Sequence, residues 1–510
     1  MSQLQRNIVA NFASKGWSAL MGVIFIPLYV KFMGVEAYGL VGFFLTLLAI
    51  VSLMDAGLST TLNRELARYS AQPGQAQEMW DVVRTLEIIY WSGAILIGVV
   101  VLLLARPIAQ YWIKAEALSV HTVQRAVQLM GLILVFQWPF FFYASGLLGL
   151  QRQLLYSGLN AVWYTLRYAG AVVVLWLVSP TIVAFFTWQI IVSIVSVVLM
   201  ATALWRSLPT SHQTPRFHGH LLRTVWRFTA GMSGVAGAFM LLTQMDKIIL
   251  SKVLPLEMFG YYSLAGSIVA GLAATLISPL FTAFFPRFSQ YVAAGDTEGL
   301  KQLYHRGCQL MSVIILPAAV TIALFSREIL LVWTRDAVTV QHTHIIVSLL
   351  TMGTALHGLV NLPYALQLAY GWTSLMLFTN VIAVIIFAPL LVVVTSHYGV
   401  LGAAAVWVAL NIGYVLITLQ LMHRRLLRGE GRRWYLEDTG LPLVIVWLVA
   451  GVWRWLLPTG GAVTVLLLSL AGAYGCTLVA AALAAPCIRG WLWLQLIHFN
   501  AVHGIQSTSV

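Results

Sequence analysis

Apolar runs of about 20 residues recur along this chain with only short polar breaks between them, and an α-helix needs a run of about that length to cross a hydrocarbon core about 30 Å thick. Stretches such as Ala94–Leu104 and Val463–Leu483 are apolar on every side. A membrane barrel would instead show segments of about ten residues alternating apolar and polar. Of the 510 residues 60% are hydrophobic and 9% charged, whereas a soluble domain carries about 25% charged residues. No water-soluble fold hides that much apolar side chain, so the expected class is an all-α polytopic membrane protein.

The hydropathy pattern predicts about fourteen transmembrane helices, in the windows 8–32, 38–62, 84–105, 122–149, 156–179, 181–205, 225–253, 259–286, 305–326, 343–370, 372–396, 399–423, 440–457 and 462–485. The short basic start is interrupted by Lys15 and no small-residue cleavage site follows, so the first segment reads as retained. With the N-terminus in the cytoplasm, most of the 29 basic residues fall on the inner side, among them Arg64, Arg68, Arg84, Arg206, Arg216 and the run Arg424 to Arg433. That bias predicts both termini inside. It also accounts for the net charge of +13 without nucleic acid as a partner. Outer connections are too short to hold a folded domain. The expected organisation is a six-helix lobe at 1–207, a cytoplasmic linker at 208–224, a second six-helix lobe at 225–424, a basic loop at 425–439, two further helices at 440–485 and a cytoplasmic tail at 486–510. Cys308, Cys476 and Cys487 lack metal-ligand spacing and read as packing residues.

The two sets of six look like copies. The segment from Lys31 through Glu36 to Gly39 matches Lys252 through Glu257 to Gly260 at an offset of 221, keeping Lys, Glu, an aromatic and Gly in register. Asn160 matches Asn380, and Val172–Val174 matches Val392–Val394, at an offset of 220. Six being even, both copies enter the membrane the same way round. Parallel repeats of this kind are related by an axis along the membrane normal.

Polar residues inside the spans are the candidate functional groups, because Lys, Arg or Asp at a helix centre costs about 2.5–3.5 kcal/mol unless it faces a cavity or a partner. Asn11, Lys15, Ser18 and Gly22 share one face of the first helix, and Ser52, Asp55, Ser59 and Asn63 one face of the second. The third opens with Arg84 and Glu87, the fifth carries Asn160, Tyr164 and Arg167, the seventh Gln244, Asp246 and Lys247, and the tenth His357, Asn361 and Tyr364. Together they suggest a water-filled cavity in which Lys15, Arg64, Arg84 and Arg167, with Asn11, Asn160 and Asn361, meet an anionic substrate, and in which Asp55, Asp246, Lys247 and His357 gate or couple transport. Plainer readings compete. Arg64 and Arg84 lie near the boundary and could snorkel to headgroups. Asp246 and Lys247 could form a structural ion pair, Asp55 could pair with a basic neighbour, and His357 could be a packing residue. Gly231, Gly234 and Gly237 suit close helix packing.

The Lys15-bearing first helix, Gly34-Val-Glu-Ala-Tyr-Gly39, Asp55-Ala-Gly-Leu58 followed by Arg64 and Ala67, and Asp246-Lys-Ile-Ile-Leu250 with Phe259-Gly-Tyr-Tyr262 resemble the polysaccharide transporter branch of the multidrug/oligosaccharidyl-lipid/polysaccharide exporter superfamily. The resemblance implies two six-helix lobes in a V shape, a C-terminal helix pair, and alternating access. Wzx-type members of this branch flip undecaprenyl-diphosphate-linked O-antigen, capsule or exopolysaccharide repeat units across the bacterial inner membrane. A diphosphate suits fixed positive charge in a low-dielectric site.

The partners so implied are a lipid-linked oligosaccharide, membrane lipids, and the polymerase and export proteins of the pathway. Proton or sodium coupling is compatible with the acidic candidates. No ATP-binding motif is present, and no cofactor is expected. Two alternatives are a multidrug exporter on the same fold, for which an acidic residue in place of Lys15 would be the expected feature, and a polysaccharide polymerase or ligase, for which sizeable catalytic loops would be expected.

Overall fold

A computed structural model describes residues 14–493 apart from 15, 19, 54, 56, 73, 212, 218, 220–243, 457–462 and 492. Asn11, Lys15 and the Gly231, Gly234, Gly237 series lie outside the described residues. Among those described, eleven helices are long and apolar enough to cross a membrane, and no named strand occurs. Large apolar side chains such as Leu103, Val178 and Trp455 stand outward, more than 70% exposed, which is the arrangement a hydrocarbon solvent demands.

The described residues pack into two compact units, Met1–Leu264 with Leu391–Val400, and Ala265–Leu390 with Leu401–Val510. In the first unit α1 (Ile26–Met33) continues a helical run from the N-terminal side and stops at Gly34, whose φ of 84° ends the turn. After it come α2 (Val35–Leu53), α3 (Leu58–Ser70), α4 (Ala76–Pro107), α5 (Val120–Gly149), α6 (Gln153–Leu177) and α7 (Ile182–Ser207). Ser119 and Thr181 cap α5 and α7 by accepting from backbone N–H groups of the first turn, a task suited to a short side-chain oxygen. α5 is the hub of this unit, packing on α3, α4 and α7.

The second window, read as a single helix over 38–62, is corrected. The chain leaves the helix after Leu53 and restarts at Leu58, with Gly57 at φ 86° as the hinge. Ser52 and Ser59 therefore do not belong to one continuous stripe. Asp55 accepts from the backbone N–H of Ser59 at 3.1 Å and from its hydroxyl at 2.8 Å, and so satisfies donors that the new helix start leaves open.

α8 (Leu256–Leu272) runs through a wide turn at 273–277 into α9 (Ser278–Ala294). The second unit continues with α10 (Thr297–Leu324), α11 (Ser326–Thr334), α12 (Ala337–Ala369), α13 (Ser374–Gly413), α14 (Leu419–Leu426), α15 (Gly431–Arg433), α16 (Leu441–Leu456) and α17 (Val463–Ala484). The stretch labelled α13 is two helices separated at Gly399, whose φ of 58° and ψ of −142° are non-helical, and they fill the eleventh and twelfth windows. The fifth window is filled by α6, which falls outside the eleven apolar spans and carries Gln153, Asn160, Tyr164 and Arg167. Most of the seventh window lies outside the described residues. α10 packs on α12, α16 and α17, and the unit's core gathers around Phe288, Tyr304, Met311, Leu316 and Trp434.

Inside the first unit the repeated segments meet each other. A Cβ at Gly39 would lie 2.5 Å from the carbonyl oxygen of Leu256, and one at Gly260 would strike the carbonyl oxygen of Val35. At the offset of 221, Leu256 is the counterpart of Val35 and Gly260 that of Gly39, so the two contacts are one contact seen from both sides. A Cβ at Gly42 would strike Ser263, its own counterpart. A local two-fold axis passes there. Positions 39 and 260 need glycine because a Cβ there meets backbone, which cannot rotate aside. Around it, Glu36 accepts from the N–H groups of Glu116 and Ala117 at 2.7 and 2.8 Å, and Lys114 donates its ammonium to the Val253 carbonyl at 2.9 Å.

Candidate functional site

The polar face of the first helix lies against α6 along a continuous seam. Asn160 Nδ2 donates to Ser14 Oγ at 3.1 Å, Trp17 Nε1 to Thr165 Oγ1 at 2.9 Å, and Tyr29 OH to the Tyr168 carbonyl at 2.8 Å. Ser18 is hydrogen-bonded to Tyr164, and Gly22 leaves room for the Tyr168 hydroxyl. Residues 14, 18 and 22 thus face 160, 164 and 168, four-residue steps on each helix that keep one face turned to the other. Serine and glycine are small enough for this approach, and the paired groups answer one another where water is absent.

Arg167 stands beside this seam. Its guanidinium lies 5.3 Å from the ring centre of Trp163 and 5.9 Å from that of Phe44, and it forms no ion pair among the described residues. Cation–π attraction of this kind is worth about 0.5–2 kcal/mol, enough to orient the group without cancelling its charge. The backbone carbonyl of Arg167 is held separately by Gln189 Nε2 at 3.1 Å. The side chain is half-buried, so one aspect remains open.

Arg84 differs. It donates to Glu87 at 2.8 Å one turn on, and buried Glu87 also accepts from Tyr143 OH at 2.6 Å and Trp205 Nε1 at 3.2 Å. Trp91 Nε1 completes the chain by donating to Tyr143 OH at 3.0 Å. One turn further along α4, Tyr90 OH meets Ser59 Oγ at 2.6 Å, joining Asp55 to the same wall of the unit. Asp55 is linked through Ser59 to Tyr90, and Arg84 to Glu87, so each is already engaged. Arg64 sits exposed at the boundary, bonded to Glu65 at 2.9 Å, and Arg68 takes the other Glu65 oxygen at 2.7 Å.

Asp246 and Lys247, adjacent in sequence, take separate partners. Tyr262 OH donates to Asp246 Oδ2 at 2.6 Å, and Lys247 donates to Gln244 at 3.3 Å. Consecutive helical residues point about 100° apart, so adjacency does not make a pair. The other oxygen of Asp246 is buried with no hydrogen-bond partner among the described residues.

In the second unit His357 packs on Trp407 at 6.2 Å, and the buried carbonyl oxygen of Asn361 has no partner among the described residues. The dominant polar feature there is one that sequence spacing does not reveal. His305, fully buried, contacts Asp438 at 2.5 Å through Nδ1 and Glu430 at 3.1 Å through Nε2. Gln309 donates to Asp438 at 2.8 Å and accepts from the Cys487 N–H at 2.7 Å, and Tyr304 meets His423 at 2.9 Å. This cluster ties α10 to the connector after α14 and to the chain following α17. Among the described residues no group of His, Cys, Asp and Glu is arranged to hold a metal.

The fold is that of known transporters. The structure of lipid II flippase MurJ in an inward closed conformation superposes with a TM-score of 0.68 over 96% of this chain and 99% of that one, at 14% identity. An inward-facing multidrug resistance MATE family transporter of the MOP superfamily gives 0.62 over 82% of this chain and 93% of that one, at 13% identity. In sequence, the "Putative O-antigen transporter" of Shigella flexneri is 23% identical over 181 residues, 36% of this chain and 42% of that relative. The match therefore spans less than half the length of that protein. Residues 29–336, more than half the chain, match the family model described as polysaccharide biosynthesis protein. The chain is a multi-span membrane protein of transporter fold, and it belongs to the polysaccharide biosynthesis protein family.

Proposed function

We propose that the chain flips an undecaprenyl-diphosphate-linked oligosaccharide, an O-antigen, capsule or exopolysaccharide repeat unit, from the cytoplasmic to the outer leaflet of a bacterial inner membrane by alternating access. The observation that carries this reading is Arg167: a half-buried cation held by aromatic faces, with no carboxylate on it among the described residues. In a low-dielectric setting such a charge attracts an anion strongly, and a diphosphate supplies one. The hydroxyl and amide groups of the adjoining seam, with Asn160 among them, suit the polar head that follows. Lys15 and Asn11 belong to the same proposal by their register on the first helix, and Asn361 by its unanswered carbonyl. Arg64 and Arg84 rank lower because Glu65 and Glu87 already compensate them. Asp55, Asp246, Lys247 and His357 remain the coupling candidates, with a proton or sodium ion as the driver, and both termini are placed in the cytoplasm.

The test is translocation of a radiolabelled undecaprenyl-diphosphate sugar in proteoliposomes, comparing the wild type, Arg167→Gln, Lys15→Ala and protein-free vesicles. Protein-dependent transport that falls at least tenfold in Arg167→Gln supports the proposal. Absence of lipid-linked sugar transport together with proton-linked efflux of an organic cation would replace it with multidrug export.

A further inference from the structure

Five arginines, Arg424, Arg425, Arg428, Arg432 and Arg433, crowd into ten residues around the junction of two helices apolar enough to cross a membrane, and all five are exposed. Only Arg433 has a carboxylate among the described residues, Glu437 at 3.2 Å. A run of this sort is ordinarily a mobile, solvated loop, but here the backbone is fastened from behind. Met422, His423, Leu427, Gly431 and Trp434 are buried, and Glu430 turns inward to His305 and to Lys301 at 3.7 Å. Asp438 is likewise spent on His305 and Gln309. The turn itself is tight: Gly429 takes φ 88°, and a Cβ at Gly431 would touch the His423 ring at 3.6 Å. Arg424 and Arg432 each follow one member of that contacting pair, so the two basic clusters are close together.

Position decides the ligand. Only four residues separate Leu426, the end of one helix apolar enough to cross a membrane, from Gly431, the start of the next. Arg425 is stacked on Trp372 at 4.3 Å, just past the span that ends at Ala369, and tryptophan favours that same interfacial layer. Guanidinium forks match phosphate oxygens two at a time, and basic residues clustered where two spanning helices join are matched to the phosphates of anionic lipid headgroups.

We propose that the turn from Arg424 to Arg433 is a binding site for anionic phospholipid headgroups, with Arg424, Arg425, Arg428 and Arg432 as the phosphate ligands and the buried side of the turn as its support. The site is independent of the translocation pathway and holds whichever leaflet the turn occupies.

The experiment is scintillation-proximity binding of radiolabelled phosphatidylglycerol to the full-length chain in neutral detergent. Phosphatidylcholine and an undecaprenyl diphosphate serve as competitors. The variant R424Q/R425Q/R428Q/R432Q is compared with R206Q/R287Q/R306Q/R489Q, which removes four exposed arginines elsewhere. At least tenfold weaker binding in the first variant and less than twofold in the second is the expected result. Equal losses in both would reduce the effect to diffuse charge and overturn the site. Wild-type binding displaced as well by phosphatidylcholine as by unlabelled phosphatidylglycerol would overturn it without any variant. Displacement by undecaprenyl diphosphate at concentrations where phosphatidylglycerol fails would reassign the turn to the lipid carrier. Should the first variant not fold, R424K/R425K/R428K/R432K keeps the charge and loses the fork, and undiminished binding there would also count against the proposal.

Discussion

Arg167 in the first unit and His305 in the second both place a basic side chain among apolar neighbours, yet their surroundings differ in kind. His305 is enclosed, and each ring nitrogen meets a carboxylate, Asp438 on one side and Glu430 on the other. Both ring nitrogens lie within hydrogen-bond reach of a carboxylate, so the three groups answer one another. Among the described residues Arg167 meets the faces of Phe44 and Trp163 and no carboxylate. Its electrostatic demand is met in part, and the remainder is open to an anion. A buried charge that is fully answered holds a structure together, whereas one that is partly answered is available to a ligand. The contrast separates the structural role from the binding role without reference to position in the chain.

The sharpest break in this comparison is His305→Ala. Removing one partner of a buried charge cluster costs about 3–5 kcal/mol, since Asp438, Glu430 and Gln309 lose their common centre. Thermal unfolding of the purified protein in detergent is expected to show a large drop in midpoint, and an unchanged midpoint would deny the cluster its structural role. Glu87→Gln tests an intermediate case, because Arg84 is half in water while Glu87 is buried. A loss of about 1–3 kcal/mol is expected from weakened bonds to Arg84, Tyr143 and Trp205, and the double variant with Arg84→Gln should recover part of it. Arg167→Gln is expected to change the unfolding midpoint little while lowering translocation at least tenfold, equivalent to about 1.4 kcal/mol. A midpoint loss as large as that of His305→Ala would place Arg167 on the structural side.

The smallest expected effect marks the lower limit of the scale. Asp336 caps α12 by accepting from the N–H groups of Val338 and Thr339 at 3.2 and 3.1 Å. The Thr339 hydroxyl bond, ahead of the two backbone bonds, lowers its carboxyl below the usual range. The group is largely exposed, so the effect is modest, about 1 kcal/mol for loss of a cap. Because the folded value is depressed, this contribution is present above the unfolded carboxyl range near pH 4 and fades as pH falls through the folded value. Unfolding midpoints of wild type and Asp336→Ala should differ at pH 6, and the difference should shrink as pH falls below the unfolded carboxyl range near pH 4.

The spans were legible because hydrocarbon solvent allows few ways to place a long apolar run. Part of the seam was legible, because Ser18 and Gly22 on one side and Asn160 and Tyr164 on the other keep helical spacing, whereas Ser14 and Tyr168 stand out only once the two helices are seen in contact. Arg84 with Glu87 could be read from a three-residue step. The break at Asp55 to Gly57 was hidden, because hydropathy continues across it and only the positive φ of Gly57 marks it. Hidden too was the His305 cluster, whose acids lie 125 and 133 residues away. Neither periodicity nor local spacing reports a meeting over that distance. The adjacent Asp246 and Lys247 misled in the opposite direction, because neighbours in a helix look different ways.

The crossing at Gly39, Gly42 and Gly260 has the form of a homodimer interface preserved within a single polypeptide. In an isologous dimer each patch must fit a copy of itself, and here the copy is covalently attached and free to change independently. Position 42 meets its own counterpart, so bulk gained on one side must be given up on the other, and the pair has settled on Gly42 with Ser263. Positions 39 and 260 have had no such latitude, since each faces backbone. The glycines at 39 and 260 therefore mark the places where the two matching segments approach backbone to backbone, and each segment is shaped to fit the other.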